Sequence, residues 1–91
     1  MTESVFCSTI IPTIGRFSLD RAVESVLHQS FFAAAFEVIV VNDSGLPLPP
    51  APWQTAERVQ ILHTNRRDKS VARNAGAAVA KGKYLHFLDD D

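Results

Sequence analysis

The sequence predicts an α/β domain with a doubly wound, mainly parallel four-stranded sheet and helices on both faces. Two runs rich in apolar and β-branched residues, at residues 5–11 and 36–41, have the composition of strands buried on both faces. Apolar residues recur at helical spacing between these runs, and a second helical pattern precedes the last apolar run. Strands joined by helices pair in parallel, because the crossover helix returns the chain to the end of the sheet at which the previous strand began.

The individual elements follow from local signals along the chain. Pro12 is predicted to end the first strand, Ser18 to cap the first helix and Gly82 to stop the second. Four prolines between residues 47 and 52 exclude a regular helix there. The predicted strands are residues 5–11, 36–41, 58–63 and 83–88, and the predicted helices are residues 19–29 and 70–81.

The order of these elements predicts a cleft at one edge of the sheet. If the two helices cover opposite faces, strands one and four become neighbours and the winding of the chain reverses between them. Open α/β sheets bind ligands at such a reversal, beyond the carboxyl ends of the strands. The residues expected at this rim are Pro12, Thr13, Asp43, Asp89, Asp90 and Asp91.

Composition narrows the classes of partner. The 91 residues suffice for one domain, and the net charge of −1 favours neither nucleic acid nor an anionic membrane surface. No apolar stretch approaches the ~20 residues that a membrane-spanning helix needs. The single Cys7 excludes an internal disulfide and fits a reducing compartment, so we expect a cytoplasmic protein without a nucleic-acid partner or membrane segment.

Three consecutive carboxylates, Asp89 to Asp91, follow the last apolar run directly. Carboxylates at the tip of a buried strand are hard oxygen ligands, which suit Mg²⁺ or Mn²⁺. The alternative is a solvated acidic tail, as is common for terminal acidic runs. The apolar strand immediately before the acids favours the metal site.

Four motifs in a fixed order carry a family resemblance. The segments TIIPT (9–13), VVNDS (40–44), ARNAG (72–76) and FLDDD (87–91) resemble the nucleotide-binding half of a GT-A, family-2-type glycosyltransferase. The resemblance covers nearly the whole chain and implies a nucleotide-sugar donor, usually a UDP-sugar, and a separate acceptor. It also implies that residues 1–91 are one incomplete domain ending at the D-x-D motif, with the acceptor site and catalytic base beyond Asp91.

The resemblance assigns roles to the acidic residues. Asp43 falls at the position that hydrogen-bonds the nucleobase, Asp89 at the one that approaches the ribose, and Asp91 at the ligand of the Mn²⁺ or Mg²⁺ ion bridging the phosphates. Asp90 would face away or make a supporting contact, because side chains alternate along a strand. For Asp43 the alternative is an Asx-turn, since Asp-Ser-Gly after a strand is ordinary turn chemistry.

The remaining family positions are partly structural. Arg73 would contact donor phosphate, with an exposed helical position or a salt bridge to an acid such as Asp43 as the alternative. Pro12 and Thr13 would line the pocket for base and ribose, and Gly76 would allow close packing of helix on sheet. The loop at residues 65–69 lacks the glycine common in the family and carries extra positive charge.

The predicted function is that of part of an enzyme. The parent protein would be an inverting glycosyltransferase, and the isolated chain would have little activity, because no acid in it is well placed as the base. Receiver and dinucleotide-binding domains are disfavoured, because Pro12-Thr13 replaces an acidic pair and no G-x-G-x-x-G is present. The alternative is a non-catalytic nucleotide-binding or self-associating module, and an open edge at strand four predicts homo-oligomers.

Overall fold

The structure is a computed structural model that describes residues 5–28 and 35–90. It confirms the predicted α/β architecture, with four strands that all pair in parallel in the order β3-β2-β1-β4. The strands are β1 (Cys7–Thr13), β2 (Phe36–Asn42), β3 (Val59–His63) and β4 (Tyr84–Phe87), and the helices are α1 (Ser18–His28) and α2 (Lys69–Val79).

The two central strands bury apolar side chains on both faces, as their apolar and β-branched composition predicts. Successive side chains of a strand point to opposite faces, so Ile10 and Ile11 enter different layers of the core. Ile10 pairs with Ile39 and Ile11 with Val40 in the β1–β2 ladder. All four side chains are completely buried.

Each face of the sheet is covered by one helix. On one face Ile11 and Val40 pack with the apolar stripe of α1, including Leu19 and Val23. On the other, Ile10 and Ile39 pack against Ala72 of α2. The chain therefore winds from β1 through β2 to β3 and then returns to the opposite side of β1. The winding reversal between β1 and β4 is confirmed.

Pro12 does not end the first strand, and that prediction was wrong. It lies inside β1 and pairs with Val41 of β2. The ladder between β1 and β4 stops at Ile10 and Phe87, so Pro12 lies beyond the part of β1 that is paired on both sides. A proline without a backbone N–H is tolerated where no neighbouring strand requires that donor.

The boundaries of α2 also differ from the prediction. The helix begins at Lys69, and its N-cap is Asp68, whose carboxylate accepts from the backbone N–H of Ser70 at 2.8 Å. It ends at Val79, so Gly82 does not stop it. An added Cβ at Gly82 would lie 2.6 Å from the backbone nitrogen of Ser8. Gly82 therefore permits close approach to β1.

The proline-rich loop contains a short 3₁₀ helix, Pro52–Thr55. It carries Trp53, which packs on the α1 face of the core and is only 4% exposed. The indole Nε1–H donates to Oδ1 of Asp20 at 2.7 Å. Trp53 therefore closes the edge of the core. In the described ranges, neither helix has the length and apolar character needed to span a bilayer.

Candidate functional site

A cavity of about 190 Å³ opens beyond the carboxyl ends of the strands, where the winding reverses between β1 and β4. Residues from β1, the loop after it, the turn after β2, the β3–α2 connection and the end of β4 converge there. The lining residues are Pro12, Thr13, Ile14, Arg16, Asp43, Arg67, Asp68, Lys69, Ala72 and Asp90. The structure thus brings Pro12, Thr13 and Asp43 together, as the sequence predicts.

Asp43 is the most enclosed acid of this cavity, with 3% of its surface exposed. Its Oδ1 accepts from the Thr64 hydroxyl and from the backbone N–H of Arg66, each at 2.7 Å. Its Oδ2 accepts from the backbone N–H of Asp68, also at 2.7 Å. One carboxylate at the end of β2 therefore holds the whole β3–α2 connection against the cavity.

These donors also determine the charge state of Asp43. Burial on its own raises the pKa of a carboxyl group, because it disfavours the charged form. The hydrogen bonds from Arg66, Thr64 and Asp68 oppose burial and hold the pKa of Asp43 below its usual value of 3.8. Asp43 is therefore an anion at neutral pH.

The Asx-turn that was the alternative role for Asp43 is formed instead by its neighbour Asn42. Oδ1 of Asn42 accepts from the backbone N–H of Ser44 at 3.1 Å and from its hydroxyl at 2.7 Å. The Asn42 amide also donates to the carbonyl of Leu46 at 2.7 Å. Because Asn42 makes the local turn contacts, the Asp43 carboxylate turns toward the β3–α2 connection.

Asp90 lies in the cavity and is 5% exposed. Its Oδ2 accepts a hydrogen bond of 2.5 Å from the hydroxyl of Thr13. The same hydroxyl oxygen accepts from the backbone N–H of Gly15 at 2.9 Å. The middle acid of the closing run therefore joins the segment after β4 to the last residue of β1.

Asp89 points elsewhere, toward the first turns of α2. Its Oδ1 lies 3.5 Å from Nζ of Lys69 and 3.4 Å from a guanidinium nitrogen of Arg73. All three side chains are substantially exposed, so water screens these ion pairs. Arg73 thus pairs with an acid, although with Asp89 rather than with Asp43. Its Nε is buried without a hydrogen-bond partner in the described ranges.

The carboxylate chemistry at the end of β4 suits a hard divalent cation. However, Asp89 and Asp90 are directed to different partners, and residues 5–28 and 35–90 contain no group of three potential metal ligands. Asp91, the predicted metal ligand, lies outside the described residues. The described residues therefore do not by themselves form the metal site that the resemblance implies.

The sequence did not predict several of the residues that line the cavity. Ile14 and Arg16 come from the loop after β1, while Arg67, Lys69 and Ala72 come from the β3–α2 connection and α2. Arg67 has a φ of 50°, a left-handed conformation that is uncommon for a residue with a side chain. The basic run at residues 66–69 was an available signal, but its convergence with Arg16 depends on the fold.

A parallel α/β sheet with a cavity at its winding reversal is a Rossmann-like architecture, and open sheets of this class bind ligands at that place. Within that class, the family profile described as Glycosyl transferase family 2 matches residues 8–91. The match covers both central strands, both helices and the closing acids. The chain belongs to glycosyltransferase family 2.

Curated relatives agree with this assignment. An uncharacterized glycosyltransferase of Rickettsia bellii is 35% identical over 88 residues, which cover 92% of this chain and 12% of the relative. The poly(ribitol-phosphate) beta-N-acetylglucosaminyltransferase TarP of Staphylococcus aureus is 33% identical, covering 92% of this chain and 28% of TarP. Glycosyltransferase GlyG of Streptococcus pneumoniae is 30% identical, covering 100% of this chain and 31% of GlyG. The chain spans less than a third of each of these three relatives.

Proposed function

We propose that this chain binds the nucleotide-sugar donor of a glycosyltransferase, with a UDP-sugar as the donor. The cavity at the end of β1 and β2, with the buried anionic carboxylate of Asp43, is the observation that carries the proposal. Family membership supports a sugar donor and an acceptor. Pro12 and Thr13 would line the base and ribose pocket. Asp89 and Arg73, which pair with each other outside the cavity lining, would have to separate for Asp89 to approach the ribose and Arg73 the phosphates.

Asp43 retains the capacity to contact a base. A carboxylate offers about four acceptor sites, and the described contacts use two on Oδ1 and one on Oδ2. Oδ2 takes fewer of these contacts than Oδ1, so it is the oxygen that would accept from a ligand N–H, such as that of uracil. Because three donors already fix the carboxylate, that acceptor would require little reorganisation on binding.

The proposal includes a divalent ion, Mn²⁺ or Mg²⁺, held by Asp91. When bound, such an ion neutralises charge on the departing nucleoside diphosphate. Asp89 could join it only by exchanging its contacts with Lys69 and Arg73 for the new ones. Substitution of either Lys69 or Arg73 should therefore change the binding of the donor in Mn²⁺.

The direct test is a calorimetric titration of the 91-residue chain with UDP and GDP, with and without Mn²⁺. We expect UDP to bind, with tighter binding in Mn²⁺, and Asp43→Asn to weaken it by about tenfold or more. Glu57→Gln, at an exposed acid outside the cavity, is the matched control. Equal affinity of wild type and Asp43→Asn for UDP would show that Asp43 does not bind the base.

Catalysis by the parent protein forms a second part of the proposal. Inverting transfer needs a base to deprotonate the acceptor hydroxyl opposite the leaving group. The two buried carboxylates of the described residues, Asp43 and Asp90, already accept hydrogen bonds from protein donors. We therefore expect little or no turnover by this chain alone. Sustained transfer by the purified chain with a UDP-sugar, Mn²⁺ and an acceptor would contradict this expectation.

Self-association is the second candidate function, and β4 is the observation that favours it. This strand is an edge of the sheet, and Tyr84, Leu85 and Phe87 are exposed. Edge strands with exposed apolar side chains invite pairing with another chain. Sedimentation at increasing concentration should then reveal dimers or larger species, which Leu85→Lys should weaken. A monomer at all concentrations would exclude this function.

A further inference from the structure

We propose that Arg67 binds a phosphate oxygen of the donor's nucleoside diphosphate, as a contact that this chain makes through its unusual β3–α2 loop. The inference rests on the proposed donor site and adds a binding residue to it. It is carried by three observations: the position of Arg67 on the cavity, the fixed backbone around it, and the charges that surround the cavity.

The backbone at Arg67 is held from both sides by one carboxylate. The N–H of Arg66 donates to Oδ1 of Asp43, and the N–H of Asp68 donates to Oδ2, both at 2.7 Å. Successive N–H groups around a left-handed residue form a concave anion-binding arrangement, which is filled here by Asp43. The loop is thus anchored at residues 66 and 68, and residue 67 between them lines the cavity.

The left-handed conformation has a cost that a glycine at this position would avoid. For a residue with a Cβ it is unfavourable by roughly 1–2 kcal/mol. An arginine that lines the cavity can extend a guanidinium to a ligand bound there, which glycine cannot do. The conformation and the side chain together therefore give the loop a function in ligand contact.

The cavity lining holds three acidic residues, Asp43, Asp68 and Asp90, and all three already accept hydrogen bonds from protein donors. Arg16, from the loop after β1, also lines the cavity, as does Lys69 at the start of α2. In the described ranges the ion pairs join Asp89 to Lys69 and Arg73, and neither Arg16 nor Arg67 takes part in one. Arg16 and Arg67 therefore bring two cationic residues, without an ion-pair partner in the described ranges, to the wall of this cavity. Guanidinium and phosphate form strong, charge-assisted hydrogen bonds.

The chain offers a closely matched set of variants for the test. Arg67→Gly removes the guanidinium and suits the left-handed backbone, so its stability should equal or exceed that of the wild type. Arg66→Ala removes the same charge from the adjacent residue, whose side chain does not line the cavity and whose N–H still reaches Asp43. Titrations of wild type and both variants with UDP, inorganic pyrophosphate and uridine, in EDTA and in Mn²⁺, separate phosphate from base binding.

We expect Arg67→Gly to weaken UDP and pyrophosphate binding by about tenfold, with uridine binding unchanged. Arg66→Ala should remain within about twofold of wild type for every ligand. Equal UDP affinity of wild type and Arg67→Gly would overturn the assignment of Arg67 while leaving the donor site intact. A similar loss of affinity in both variants would also overturn the assignment. It would show that affinity depends on the overall positive charge of the loop and not on a contact by Arg67. Pyrophosphate binding without UDP binding would instead contradict the proposed donor.

Discussion

The carboxylate of Asp43 accepts the backbone N–H of Asp68 at 2.7 Å, so the acid that follows β2 holds the residue that caps α2. Asp68 in turn accepts the N–H groups of Ser70 and Val71 with its own side chain. Two acids in series therefore connect the central sheet to the first turn of α2. A substitution at Asp43 should alter both the cavity and the start of this helix.

Asp43→Ala should destabilise the fold and loosen the loop. It removes the acceptor of the Thr64 hydroxyl and of the Arg66 and Asp68 N–H groups. We expect a loss of about 2 kcal/mol in the free energy of unfolding, because buried donors without partners are costly. Urea denaturation measures this loss, and hydrogen exchange at the two amides should accelerate. Glu57→Ala, at an exposed acid, should change stability by less than about 0.5 kcal/mol. Equal stability of the two variants would show that the three hydrogen bonds of Asp43 do not stabilise the fold.

The stabilisation provided by Asp43 should disappear in acid. Its pKa is depressed in the folded protein, so the charged carboxylate stabilises the fold fully above the unfolded value of 3.8. The stabilisation is lost as pH falls through the lower folded value. We expect the difference in unfolding free energy between wild type and Asp43→Asn to be constant near neutral pH and to shrink below 3.8. A difference that persists unchanged at lower pH would show that the Asp43 charge is not involved.

The sequence was sufficient for the sheet but not for the partners of its polar residues. Runs rich in apolar and β-branched residues predict β1 and β2, because strands covered on both faces bury such runs. The contacts of Asp43 come from residues more than 20 positions away, whose approach depends on the folded loop. Likewise, nothing local distinguishes Asn42 as the turn former, or shows that Arg67 adopts a positive φ. Asp68 was a recognisable N-cap, since Asp is favoured at that position.

Gly76→Ala should be destabilising even though alanine is the better helix former. An ideal Cβ at this position would lie 2.5 Å from Cγ2 of Ile10 and 3.3 Å from Cγ2 of Val41, both completely buried. The gain in helix propensity is about 1 kcal/mol, whereas overpacking a rigid core typically costs about 1–3 kcal/mol. We therefore expect a small net loss, of up to about 2 kcal/mol, in thermal or urea denaturation.

The control for this prediction is Ala78→Gly, at an exposed position of the same helix. It should cost at most about 1 kcal/mol through propensity alone, because it lies in the last turn of the helix. A Gly76→Ala protein more stable than wild type would mean that α2 can move away from β1 at little cost. Close packing of helix on sheet would then not be the reason for glycine at this position.

The contact between Trp53 and Asp20 should couple the proline-rich loop to α1. The indole Nε1–H donates to Oδ1 of Asp20 at 2.7 Å, and the indole itself is buried. Asp20→Ala removes the acceptor and should cost about 1 kcal/mol, because the buried N–H loses its partner. Asp20→Asn keeps an acceptor oxygen and serves as the matched control, with a smaller effect. Trp53→Phe removes the donor, so adding Asp20→Ala to it should have little further effect. Urea denaturation followed by circular dichroism measures all four variants, and additive losses in the double variant would show that the hydrogen bond contributes nothing to stability.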